Sequence, residues 1–333
     1  MPDAVSLAFC VPWFAGSPGH AAPGLAMSGH PTAYNGYLNQ TTTLGCQKVF
    51  LKGVTSPGMF IPRSEIHHFD CLERYRVDAR FGYPYYRELI KQMLDDGFYI
   101  FFCGVDDFYL PGKSWYGIRH MSHDGVICGY DESDSTYSIA AYDMNWVFRL
   151  IRIPREAFMK GLYACLENKD LGCIIPYKMK ENSVVQLDEA QILKYLKEYV
   201  NSTVDKFPLD SPEPVEGIAV QDFLAMYIDK LKDGSIPSAR MDWRALRPVW
   251  EHKRCMLDRI RAIEQKCGWS TQLSEEYQPL VEASNRARMM YAMYHKNQNP
   301  TLLDKIKNNL LSGREREYEL LSELVEKMES EIK

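Results

Sequence analysis

The chain reads as an α+β protein, with an antiparallel sheet and flanking helices first and an all-helical bundle after it. Three observations predict this. Short apolar runs of strand length, separated by turn residues, crowd the stretch between Phe98 and Ile153. After about residue 186 the apolar spacing changes to that of amphipathic helices. A length of 333 residues favours two domains, placed here at residues 1–180 and 181–333.

Residues 1–33 are rich in Gly, Pro, Ala and Ser and lack periodicity, which predicts an irregular arm. Tyr37 to Leu51 has the pattern of a helix, with the β-branched run Thr41-Thr42-Thr43 near its start. Pro84 to Asp95 predicts an amphipathic helix opened by proline, with Tyr86, Leu89 and Met93 on one face. Gly97 stops it, and Phe98–Val105 is a buried strand. A loop over Asp106–Tyr116 leads to a hairpin over His120–Trp146, and Val147–Ile153 continues the sheet up to Pro154. Helices are expected over Leu187–Val200, Val220–Asp233, Arg244–Cys267, Gln272–His295 and Thr301–Ile332, with Asp188, Ser274 and Thr301 as caps. The last of these, rich in Glu and Leu, reads as a solvated bundle helix.

Composition narrows the function. Hydrophobic residues make up 46% and charged residues 25%, as in ordinary globular proteins. A net charge of −5 argues against a nucleic-acid partner, which needs a basic footprint. No apolar run reaches bilayer length, so no membrane association is expected. The N-terminus, MPDAVSLAFCVPWFAG, has no Lys or Arg and is broken by Pro12, unlike a signal peptide. Nine cysteines without a CxxC spacing suggest neither a disulfide framework nor a metal site. A reduced cytoplasmic protein with no metal and no bound cofactor is the expectation; oligomeric state stays open.

The hairpin carries the chemistry. His123 opens an apolar strand ending in Gly-Tyr-Asp, and a second strand leads to Asp143 and Asn145. Residues two apart on a strand face one side, so either can orient the imidazole. The partner nucleophile is sought among Cys46, Cys10 and Cys71. Cys46 is favoured because an apolar helical face follows it, and a helix N-terminus promotes thiolate. Gln40, six residues earlier, is placed to help the Cys46 N–H bind an oxyanion. Cys103, inside an apolar strand, reads as core. Phe108, Tyr109, Trp115 and Tyr116 supply an aromatic neighbourhood that excludes water from an acyl-enzyme, and His120 lines the same cleft. Asp106 and Asp107 either meet an amine or a metal or cap a turn. Between Arg240 and Arg261 seven basic residues stand against three acidic ones, forming either a docking face for an acidic partner or a set of ion pairs within the bundle.

The order Gln40, Cys46, His123, Asp143 resembles the papain-like cysteine peptidases, especially the bacteriocin-processing group. Gln47 after the cysteine and the Thr-rich lead-in depart from that pattern. The run GFYIFFCGVDDFYLPGKSWYGIRHMSHDGVICGYD, together with the later MDWRALRPVWEHKRCMLDRI, resembles the butirosin-biosynthesis acyltransferase family over most of residues 34–330. That resemblance implies a papain-like fold followed by helices. It implies an enzyme of antibiotic or nonribosomal-peptide assembly that takes an acyl or peptidyl group from a carrier-protein thioester onto cysteine and passes it to a small amine. The substrate would arrive on the phosphopantetheine of an acyl or peptidyl carrier protein. Substrate-binding positions would include Asp107, Tyr109, Trp115 and His120. A cysteine peptidase or amidohydrolase of the same fold is the alternative.

Overall fold

A computed structural model describes residues 2–16, 18–52, 57–60, 69–78, 85–168, 173–238, 241–242 and 244–331. Pro84, His67, His68 and Arg240 lie outside the described residues. In chain order the elements begin with β1 (Ala4–Ser6), α1 (Pro18–Met27), α2 (Tyr34–Gln40), β2 (Gly45–Cys46) and β3 (Met59–Phe60). There follow β4 (Leu72–Arg74), β5 (Val77–Asp78), α3 (Tyr86–Asp95), β6 (Tyr99–Asp106), β7 (Ser122–Asp131), β8 (Thr136–Tyr142) and β9 (Phe148–Pro154). Then come α4 (Arg155–Glu167), β10 (Cys173–Met179), α5 (Glu189–Val200), β11 (Val215–Glu216), α6 (Val220–Lys232), α7 (Arg247–Cys267), α8 (Gln272–Asn297) and α9 (Pro300–Glu331).

The chain divides into two compact units. The first is Met1–Tyr34 with Ile66–Val185; the second is Asn35–Glu65 with Gln186–Lys333. The division differs from the boundary expected at residue 180 in one important way. Residues 35–65, carrying Gln40 and Cys46, cluster with the helical unit and not with the unit that holds His123.

The first unit is an antiparallel sheet in the order β4-β10-β6-β7-β8-β9, with β1 added to β7 and β5 to β10. Alternation along β6 sends Ile100 and Phe102 into a core with Tyr86, Ile90 and Leu94 of α3 and Phe158 and Leu162 of α4. Phe102 and Phe158 meet edge to face at 5.0 Å. The core stripe of α3 is therefore Tyr86, Ile90 and Leu94, with Leu89 and Met93 at its margin. Helix α1 packs on β6, β7 and β10, where the Tyr99 hydroxyl donates to the Ala8 carbonyl at 2.7 Å. The N-terminal arm is irregular over residues 7–16 and 28–33, and β1 and α1 are the regular elements it was not expected to hold. Pro18 suits the first turn of a helix, where its missing N–H costs nothing. Small residues Ala21, Ala22 and Gly24 let α1 lie buried, so packing overrides its low propensity and its internal Pro23.

The second unit is built around α9, which packs on α8, α6 and α5, while α7 packs on α8. The buried stripe Leu303, Ile306, Leu310, Gly313, Glu317, Leu321, Leu324, Met328 explains its place at the bundle centre. Asp188 caps α5 through the Gln191 N–H at 2.9 Å. Ser274 and Thr301 are not caps: both lie inside their helices, and the Asn299 carboxamide oxygen accepts from the Thr301 N–H at 3.1 Å. The helix expected over Tyr37–Leu51 stops at Gln40. The Thr41 hydroxyl donates back to the Tyr37 carbonyl at 2.6 Å, closing the last turn. The β-branched threonines then leave helical geometry for the three-stranded sheet β11-β2-β3. No described helix is long and apolar enough to cross a membrane.

Candidate active site

The site of the first unit is made at the end of β6. The register with β7 shifts by one between Phe102 and Val105, and Gly104 has φ +87°, the left-handed conformation that glycine adopts freely. This is a β-bulge. It delivers two adjacent carboxylates, Asp106 and Asp107, to two histidines three residues apart on and before β7. His123 Nδ1 lies 2.5 Å from Asp107 Oδ2, and His120 Nδ1 lies 2.6 Å from Asp106 Oδ2. The backbone ties the two segments together, with the Asp107 N–H donating to the Met121 carbonyl at 2.9 Å. Gly161 of α4 permits the approach from outside: a Cβ there would stand 2.9 Å from the Asp106 carbonyl.

The two pairs differ in what surrounds them. Asp107 is 2% exposed while His123 is 33% exposed. The far oxygen of Asp107 faces the Lys113 ammonium at 3.6 Å, and Lys113 also donates to the Tyr142 carbonyl at 2.9 Å. Burial pushes the Lys113 amine down, and Asp107 opposes that push. The His123 imidazole makes no other hydrogen bond among the described residues, so Nε2 is the ring atom left for a ligand. His120 is largely exposed and stacks on Phe108 at 4.3 Å, with Tyr109 edge-on at 5.9 Å. Burial alone would raise the Asp106 carboxyl. Hydrogen bonds from His120 and from the Phe108 and Met121 N–H groups outweigh it and hold the carboxyl below the usual range. Trp115 is half-buried, with the Arg119 guanidinium 5.8 Å over its ring, and Lys160 lies 4.8 Å over Tyr109.

Several expected site residues stand elsewhere. Asp143 does not orient His123. Strand β8 ends at Tyr142, and Asp143 begins a turn in which its carboxylate accepts from the Asn145 and Val147 N–H groups at 2.8 and 2.9 Å. Its other oxygen pairs with Arg149 at 2.6 Å. A short carboxylate next to its own backbone makes this turn readily. Asn145 is an exposed member of that turn, off the strand. Cys46 lies in the other compact unit, in strand β2 paired to β3 and β11, two residues ahead of a short 3-10 helix over Lys48–Lys52 and not at the N-terminus of an α-helix. It is fully buried, its thiol donates to the Gln47 carbonyl at 3.4 Å, and burial pushes its pKa up to about 12. That is the opposite of thiolate activation. Gln40 ends α2 in the same unit. Of the other thiols considered, Cys10 is exposed and Cys71 is buried with its pKa raised by burial.

Asp107 was expected against substrate; its observed place behind His123 is the residue role that sequence reasoning missed. The signal was present: a lone glycine inside an apolar strand marks a bulge, and here two aspartates follow it closely. The basic run over 240–261 is divided: Arg254 and Arg261 are exposed, while other members turn inward. Arg259 is fully buried against the Leu38 carbonyl at 2.6 Å, Lys253 is buried on Glu317 at 2.7 Å, and Arg247 pairs with Glu251 at 2.7 Å. Among the described residues no group of three or more His, Cys, Asp or Glu could hold a metal ion. Compared with models of known protein families and with curated proteins, the chain matches none.

Proposed function

We propose that the first unit is an acyl-transfer enzyme in which His123, oriented by Asp107, is the general base. One observation carries this reading: a partly exposed imidazole whose Nδ1 is fixed by a buried carboxylate. Fixing Nδ1–H sets the tautomer and aims a basic Nε2 outward. In the proposed step an amine nitrogen attacks a thioester carbonyl while Nε2 takes the amine proton. The C–S bond then breaks, and the proton on Nε2 goes to the departing thiolate. Lys113 fixes the far side of Asp107, so the carboxylate does not swing away as the imidazolium forms. The aromatic group around His120 provides apolar walls for the acyl chain. A helix packed on one face of an antiparallel sheet, with a histidine on a sheet strand, supports the papain-like reading of this unit. No described helix of the unit begins on a cysteine, and Cys46 is protonated and buried, so attack by the amine itself is favoured over a Cys46 acyl-enzyme. The likeness to the butirosin-type acyltransferases supports a carrier-protein thioester as donor, a small amine as acceptor, and a cytoplasmic place in natural-product assembly.

The test is turnover of an acyl-pantetheine thioester by the full chain with a panel of primary amines, followed by mass spectrometry of products and protein. The expected result is N-acyl amine, lost in His123→Ala and kept in Cys46→Ala. Free acid in place of amide would make the protein a hydrolase. An unreacted thioester, or full turnover in His123→Ala, would end the proposal.

A further inference from the structure

Strands β6 and β10 are antiparallel neighbours, and their register sets Cys103 directly opposite Cys173. Directly opposed residues in an antiparallel pair have Cα atoms about 4.5–5.5 Å apart, whichever hydrogen-bonding site they occupy. A disulfide spans about 4.4–6.8 Å between Cα atoms. The two side chains already meet, since the Cys103 thiol is hydrogen-bonded to Cys173 and also touches the Asp124 carboxylate. Both cysteines are half-buried, unlike Cys46, Cys128, Cys165 and Cys255, which are closed off. A small disulfide reagent therefore reaches this pair while the buried thiols stay inert.

We propose that Cys103 and Cys173 are an oxidation site that closes reversibly into a cross-strand disulfide on reaction with a low-molecular-weight disulfide such as oxidised glutathione. Cys173 is taken as the first attacking sulfur, and the reaction balances equally with Cys103 in that role. The Cys173 thiolate attacks the reagent's S–S bond, forming a mixed disulfide and releasing one reagent thiolate. The Cys103 thiolate then attacks the Cys173 sulfur, forming the protein disulfide and releasing the second. Two protein thiols are oxidised, one reagent disulfide is reduced, and the two thiol protons end on the two released thiolates. The bond sits one residue before Gly104, the bulge that carries Asp106 and Asp107 to their histidines. Asp124, adjacent to His123, loses the Cys103 donor and keeps the Gly104 N–H at 3.2 Å. The site does not depend on the acyl-transfer reading.

The experiment equilibrates the full chain in glutathione redox buffers, quenches with an alkylating agent and maps the peptides. The exposed Cys10 reports that the reagent is active. The expected result is a Cys103–Cys173 cross-linked peptide that dithiothreitol removes, and no such link in Cys173→Ser. Alkylation of both Cys103 and Cys173 under conditions where Cys10 carries glutathione would overturn the proposal. Linkage of either one to a different cysteine would overturn it equally.

Discussion

Asp107 and Glu317 are both buried carboxylates set against a lysine, and they are used in opposite ways. Asp107 joins Lys113 on one side to a partly exposed imidazole on the other. Glu317, at the centre of α9, accepts from Lys253 at 2.7 Å, Gln221 at 2.6 Å, Tyr199 at 3.1 Å and the Tyr277 hydroxyl. Every one of those donors is itself buried. Burial would raise the Glu317 carboxyl, but Lys253 and the other donors outweigh it and keep it below its usual range. Both carboxylates are well partnered, and only the first network ends on an atom that solvent and a ligand can reach. The difference lies in one open edge: with it a network can move protons, and without it the same chemistry joins helices.

The largest effect separates the two. Glu317→Leu leaves the Lys253 ammonium buried without its anion, and the expected loss is about 3–5 kcal/mol of stability, read by urea denaturation of the full chain. A loss under about 1 kcal/mol would show that the hub is replaceable.

Asp107→Asn is expected to lower thioester turnover roughly 10²–10⁴-fold, with circular dichroism unchanged. Unaltered turnover would reduce the Asp107 contact to a structural one.

A pH scan sharpens the sealed side of the comparison. His252 is fully buried with Nε2 2.8 Å from the Thr42 carbonyl, and burial pushes its pKa down from 6.5 to about 4. The unfolded chain therefore binds the proton first. Stability present above about pH 6.5 falls as pH drops towards 4, by up to about 3 kcal/mol. His252→Gln should flatten that slope, and a scan in which the variant keeps it would assign the slope to other groups.

The smallest effect is expected at Asp143→Ala. It removes a turn carboxylate at a cost of about 1 kcal/mol and should leave turnover intact. A large loss of turnover with an unchanged melting temperature would restore Asp143 to the active site.

The hairpin and the bundle were legible because each rests on local pattern. The apolar run Phe98–Val105 and the one from His123 to Gly-Tyr-Asp read as strands, and the helical spacing over Thr301–Ile332 read as a helix. Less was legible where a short segment is decided by its neighbours. The segment from Thr41 to Cys46 has helical spacing, yet threonine back-bonding ends the helix and pairing to Val215 and Met59 makes a strand. Helix α1 has almost no amphipathic pattern, because small residues against a sheet leave none to see.

The sequence by itself determined the strands between Phe98 and Pro154, the helices after Leu187, the place of His123 on a sheet strand and the presence of an adjacent pair of aspartates, while α1, α4 and β10 went unread. These follow from side-chain period, turn residues and identity, all local properties. Tertiary structure decided which carboxylate serves which histidine, that Asp143 holds a turn, and that Cys46 lies buried among the elements of the helical unit. A single-residue bulge at Gly104 shifts the register of everything after it. Partnership across strands is set by that register, and no spacing along the chain encodes it.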